Sequence, residues 1–163
     1  KRGSMSFQLV NVGIAEHKIS ANSDVLRTIL GSCVGICLYD PGTKIIGLSH
    51  IMLAEKNTPE GNPGKYADTA IPLLIDGMLS AGASEKRLVA KIVGGATMFK
   101  IAENSMMGEI GRSNARKVRE VLGARSIPII AEEIGGDFGR TIDFFPEDGS
   151  IKIKSLGRPE KTI

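Results

Sequence analysis

Two apolar runs folded back across a strong turn signal constrain this chain more than any other feature. Val34 to Tyr39 reads as a strand, Asp40-Pro41-Gly42-Thr43 is a turn sequence, and Lys44 to Leu53 is a second, longer apolar run suited to a buried strand. A hairpin closed by those four residues sets Tyr39 opposite Lys44 and, on a regular ladder, Cys33 opposite His50. Directly opposed residues project to one sheet face with Cβ atoms about 4.5–5.5 Å apart, so a thiol and an imidazole can touch. Cys37 then faces Ile46 on that same side, in apolar company. A bulge or a one-residue slip would break the pairing.

The remaining chain supplies other sheet strands and two helices. Val25 to Leu30 is a short apolar run closed by Gly31-Ser32, and Arg87 to Val93 reads as a strand ending in Gly94-Gly95-Ala96. Ile127 to Glu133, Thr141 to Phe145 and Ile151 to Lys154 read as three more, separated by Gly135-Gly136-Asp137 and by the hairpin signal Glu147-Asp148-Gly149-Ser150. Tyr66 to Ala81 has helical spacing, with Pro72 arguing for a regular start near Asp68. Ser113 is placed as the cap of a second helix burying Val118, Val121 and Leu122. Short turns between most strands predict largely antiparallel or mixed sheets, an α/β domain with six or seven strands.

Size and charge limit the rest. A chain of 163 residues, 42% hydrophobic, has one full core, and its 20 glycines favour tight turns over a helical bundle. Lys1-Arg2-Gly3-Ser4 before Met5 reads as a cloning remnant, leaving 5–163 as a single domain. A net charge of +3 without a basic run, and few aromatics, argue against nucleic acid as a partner. No apolar stretch approaches the roughly 20 residues of a membrane span, so the expected address is cytoplasmic, with no direct membrane insertion. Two cysteines in that compartment are expected as thiols.

A cysteine beside a histidine suggests nucleophilic catalysis, because a free thiol is a poor nucleophile near neutral pH and an imidazole can hold it as a thiolate. Gly31-Ser32 would let the backbone turn sharply, expose the sulfur and bring a substrate carbonyl to main-chain N–H groups. Thr28 is the nearest hydroxyl upstream apart from Ser32; the third group remains open between Thr28, Ser32 and a backbone carbonyl. Taken singly, Cys33 is an ordinary small core residue and His50 an ordinary core histidine; their pairing points to chemistry. Cys33, Cys37 and His50 lack the paired spacing of a metal site, so neither metal nor organic cofactor is expected. His17 reads as a surface residue. The polar loop Glu55 to Lys65 is of a length that often forms a lid or a groove wall.

The segment Leu30-Gly31-Ser32-Cys33-Val34-Gly35-Ile36-Cys37-Leu38-Tyr39-Asp40 resembles the signature of the chemoreceptor glutamine deamidases, the CheD family. So do Gly47 to Leu53, Pro63 to Asp68, Lys91 to Phe99, Ile110-Gly111 with Asn114, and Ala131 to Gly136. The resemblance runs in order from about Val12 to Lys154. It implies a compact three-layer α/β sandwich like the deamidase domain of cytotoxic necrotizing factor toxins, converting receptor Gln to Glu with release of ammonia. Carried over by position, Cys33 is the nucleophile, His50 the base and Thr28 the assisting threonine, although some members place that threonine where this chain has Arg27. Gly31, Ser32, Gly94, Gly95 and Ala96 are expected beside the substrate. Methyl-accepting chemotaxis receptors are the implied partners, with a CheC-type phosphatase as a further one. On this reading activity fails on acidification as His50 protonates.

Three rivals remain. They are a non-catalytic adaptor binding receptors or phosphatase, a receptor glutamyl methylesterase using the same acyl-enzyme, and a redox sensor linking Cys33 to Cys37. The last is disfavoured, since four residues along one strand separate Cα atoms by roughly 13 Å, beyond disulfide reach.

Overall fold

A computed structural model describes residues 7–98 and 106–163. The expected remnant Lys1 to Ser4 lies outside the described residues, as does Phe99. Among the described residues, ten strands and two α-helices follow in the order β1 (Leu9–Asn11), β2 (His17–Ser20), β3 (Val25–Leu30), β4 (Val34–Asp40), β5 (Ile45–Ile51), α1 (Ala67–Ser80), β6 (Val89–Gly94), α2 (Met106–Ala124), β7 (Ile129–Ile134), β8 (Arg140–Phe144), β9 (Ile151–Lys154) and β10 (Lys161–Thr162). They form two mixed sheets, ordered β1-β3-β8-β9-β10 and β2-β5-β4-β6-β7. The pairs β1–β3 and β6–β7 are parallel and the others antiparallel.

The second sheet is apolar on both faces, as the continuous hydrophobic runs of β4 and β5 require. Val34, Ile36 and Leu38 face the helices, packing with Leu74, Ile75 and Met78 of α1 and Val118 and Leu122 of α2. The alternate residues Cys37, Ile46 and Leu48 face the first sheet and pack with Leu26, Leu30, Ile142 and Phe144. Gly47 lets α1 lie close, since a Cβ there would stand 2.8 Å from a Leu74 methyl. Burial of each such Leu or Ile contributes about 1.5–3 kcal/mol, so both cores draw on these two strands.

Three sequence expectations are corrected. The short strands β1, β2 and β10 had no apolar run to mark them. By contrast, α1 starts at Ala67, one residue from the expected start near Asp68, with Pro72 inside it; the cost of about 3 kcal/mol is offset by the fully buried Ala70, Ile71, Leu74, Ile75 and Met78. Ser113 is not a cap, because α2 begins seven residues earlier. The hairpin register is displaced by two residues: Asp40 pairs with Ile45 and His50 with Gly35, so Cys33 is not opposite His50. The turn keeps four residues but sits one position later, at Pro41 to Lys44, because Lys44 adopts φ 60 and its N–H donates to the Asp40 carbonyl at 2.7 Å.

Asp40 fixes this turn. Its fully buried carboxylate accepts from Gly42 N (2.8 Å), Ser84 N (2.9 Å) and the Arg87 guanidinium (2.8 and 2.9 Å). The Arg87 hydrogen bond holds its pKa well below the usual carboxylate range. Replacing Asp40 by Ala strands several donors, and we expect a loss of about 2–3 kcal/mol in urea unfolding. An unchanged midpoint would show the node to be dispensable.

Candidate active site

Cys33 ends a three-residue bend, Gly31 to Cys33, that carries the chain from β3 in one sheet to β4 in the other. All three bend carbonyls are tied down. Gly31 O accepts from Ala96 N (3.0 Å), Cys33 O from Gly95 N (2.9 Å), and Ser32 O from Asn114 Nδ2 (3.2 Å). Gly94 is obligatory here: its φ is 115, and a Cβ would lie 2.3 Å from Cys33 O. The expected Gly94-Gly95-Ala96 loop therefore lies against the cysteine bend. Its Gly95 and Ala96 amides are spent on that bend and are not free to receive a substrate oxygen.

The hairpin is displaced by two residues, so His50 keeps the sheet face it was expected on. Only an odd slip turns a side chain to the opposite face. His50 shares its face with Gly35, and the next position along that face is Cys33, a diagonal neighbour. Such diagonals separate residues by about 7–8 Å, within reach of a long ring. His50 is 2% exposed and Cys33 half-buried.

Thr28 meets His50 from the other sheet. It belongs to the inner face of β3, with Leu26 and Leu30, whereas Arg27 points outward and pairs with Asp143 at 2.6 and 2.8 Å. Strand alternation thus excludes Arg27 from the imidazole and presents Thr28 to it. Thr28 Oγ1 donates to Val12 O at 2.7 Å and lies 2.7 Å from His50 Nδ1. The hydroxyl has one proton, already given to Val12, so Nδ1–H donates to it. This network assigns the tautomer: Nε2 carries the lone pair, and it is buried with no hydrogen-bond partner among the described residues.

Burial pushes the Cys33 thiol up, opposed by its own backbone N–H, and pushes His50 down to about 4. Both shifts favour the neutral forms, so the resting site is a thiol beside an imidazole base. His50 therefore stays neutral well below the usual histidine range. The same shift affects stability. Between pH 6.5 and 4 the unfolded imidazole takes a proton that the folded one refuses, so stability falls as pH drops through that window. The expected loss is on the order of 3 kcal/mol. Urea unfolding at pH 7 and pH 4.5 measures it, and His50→Gln should abolish this component; an identical slope in that variant would contradict it.

Other expected features are placed as follows. Ser32 is partly buried in the bend, with its carbonyl held by Asn114. His17 is half-buried in β2, opposite Ser49, rather than on the surface. The Glu55 to Lys65 loop is tethered: Glu55 pairs with Lys117 at 3.0 Å, Lys56 N donates to Asp68, and Asn62 Nδ2 donates to Ala15 O. Cys33 and Cys37 are free thiols. Sequence reasoning missed the Val12 carbonyl, the clamping contacts of Asn114, and Arg140. The last is buried and binds Glu133 Oε2 (2.6 Å), Gly135 O (2.9 Å) and Gly94 O (3.4 Å), bracing the glycine loop. Nothing in their local sequence marks these contacts.

Residues 52–155 match the family model described as CheD chemotactic sensory transduction. Cys33 and His50 precede that span but fall within the reach of full-length relatives. The chain is 46% identical over 162 residues to the probable chemoreceptor glutamine deamidase CheD of Caldanaerobacter subterraneus subsp. tengcongensis, covering 98% of this chain and 100% of that one. Proteins of the same description from Lachnoclostridium phytofermentans and Clostridium novyi are 42% and 45% identical, over 96% and 94% of this chain and 99% and 97% of theirs. Among solved structures, Bacillus licheniformis hypothetical protein YfiH matches with a TM-score of 0.49 and 12% identity, over 72% of this chain and 49% of that chain. Among the described residues, no helix is long and apolar enough to cross a membrane.

Proposed function

This chain belongs to the CheD family, and we propose that it is a chemoreceptor glutamine deamidase in which Cys33 is the nucleophile and His50 the base. The observation that carries the mechanism is the buried imidazole whose Nδ1–H is fixed by Thr28 while Nε2 has no partner among the described residues. Nε2 removes the thiol proton as Sγ attacks the side-chain amide carbon of a receptor glutamine. The Cys33 N–H, which lies against the sulfur, is a donor for the oxyanion. His50 returns the proton to the leaving nitrogen, ammonia departs, and a thioester remains. Nε2 then takes a proton from water, whose oxygen attacks the thioester, and Cys33 leaves as the thiol with glutamate formed.

In this reading 5–163 is one catalytic domain working in the cytoplasm on receptor cytoplasmic helices, and a CheC-type phosphatase is a further partner. The order of sheet, sheet and helices around two cores supports a three-layer sandwich of the kind seen in the necrotizing-factor deamidases. Gly31 and Ser32 border the substrate, whereas Gly94, Gly95 and Ala96 act by holding the bend. The test is incubation with a receptor cytoplasmic fragment, following ammonia and site-specific Gln-to-Glu conversion by mass spectrometry. Conversion with stoichiometric ammonia supports the deamidase. Methanol from methylated receptor, without ammonia, would favour the esterase, and binding without either product would favour the adaptor.

A further inference from the structure

We propose that Asn114 of α2 is a positioning residue that aligns Cys33 with His50, an inference that rests on the deamidase reading of this site. The β4–β5 ladder ends at Val34 and Ile51. The next rung would join Cys33 to Met52, but the strands part there, because Met52 N donates to Lys65 O at 2.8 Å. Backbone pairing therefore stops one residue short of the nucleophile. Asn114 supplies a substitute. Its amide Nδ2 donates one proton to Ser32 O (3.2 Å) and the other to Met52 O (2.8 Å), spanning the residue before Cys33 and the residue two after His50.

The amide is 1% exposed, and its helix is seated firmly. Ala115, Val118 and Leu122 are buried on the same helix. One turn before Asn114, Gly111 lies against the loop that holds Gly31 and Cys33; a Cβ there would stand 2.4 Å from Gly95 O. The helix therefore reaches the nucleophile bend twice, through backbone at Gly111 and through a two-proton donor at Asn114. The chemistry suits asparagine, since an ionised aspartate has no proton to give and alanine leaves two carbonyls unmet. Asn114 does not touch the reacting atoms; it acts by fixing the distance between the segments that carry them.

The experiment compares wild type, Asn114→Ala, Asn114→Ser and Val118→Ala, the last being a buried core truncation on the same helix. For each, Tm, kcat and KM on a receptor cytoplasmic fragment, and the pH profile of Cys33 alkylation by iodoacetamide are measured. Asn114→Ala should lower kcat about 100-fold with KM within about 3-fold, the loss expected when a reacting group moves by an ångström. Its alkylation near pH 7 should slow about tenfold and rejoin wild type above the thiol pKa, where His50 is no longer needed. Asn114→Ser, with one proton to donate, should fall between. Val118→Ala should lower Tm yet keep kcat within about 2-fold, since its side chain makes no hydrogen bond to the Ser32 or Met52 segment.

Equal kcat losses in Val118→Ala and Asn114→Ala at matched Tm would overturn the proposal, as would wild-type kcat and alkylation in Asn114→Ala. Should Asn114→Ala not fold, Asn114→Ser decides: wild-type kcat and alkylation in it refute the clamp, and an intermediate loss of both supports it. If wild type releases no ammonia but the Asn114 variants still lose the pH 7 alkylation, the deamidase reading fails and the clamp stands.

Discussion

Cys33→Ala and His50→Ala should each lower Gln-to-Glu conversion by about 10³-fold or more, the loss seen when members of a catalytic unit are removed. The two should differ in their response to pH. With His50 gone, the thiol has a raised pKa and no base, so little thiolate exists near neutrality. Raising the pH supplies thiolate without the imidazole, and His50→Ala should recover part of its rate. Cys33→Ala has no nucleophile at any pH and should recover none. Mass spectrometry of a receptor fragment across pH 6 to 10 reads both. Wild-type conversion in Cys33→Ala would sink the nucleophile assignment, and a recovery equal in both variants would sink the division of roles.

The second large effect is expected at Thr28. Thr28→Val preserves shape while removing the hydroxyl that receives Nδ1–H and donates to Val12 O. It leaves two polar groups unpaired in the core, costing about 1–3 kcal/mol of stability, and frees the imidazole to change tautomer. We expect kcat to fall about 30–100-fold with KM little altered, since orientation rather than binding is lost. Thr28→Ser keeps the hydroxyl and should remain within about 5-fold of wild type. Equal losses in the Ser and Val variants would show that the methyl, not the hydroxyl, matters.

The parts of this site legible in the sequence were those governed by strand alternation. Cys33 and His50 sit on the face that a hairpin reading assigns them, because the four-residue turn sits one position later and so moved the ladder by an even number of residues. Alternation also decides between Arg27 and Thr28 once it is known which face of β3 is buried. That fact belongs to the packing of two sheets, which no local pattern encodes. Val12 and Asn114 lie 16 residues before Thr28 and 82 after Ser32 in the chain, and they were illegible for the same reason. Propensity misled in one place, where Ser113 resembled a cap but stands inside a helix already under way.

The four-residue link between Asp40 and Ile45 has a consequence for how such a protein can change over evolutionary time. Adding or removing a pair of residues there slides β5 along β4 but leaves the imidazole in the space between the sheets. A single insertion or deletion not absorbed by a bulge would exchange His50 with Ser49, delivering a hydroxyl to the cysteine and an imidazole into the packing beneath α1. A change of one residue in this link therefore costs the histidine its face, whereas a change of two costs it only its place along β4.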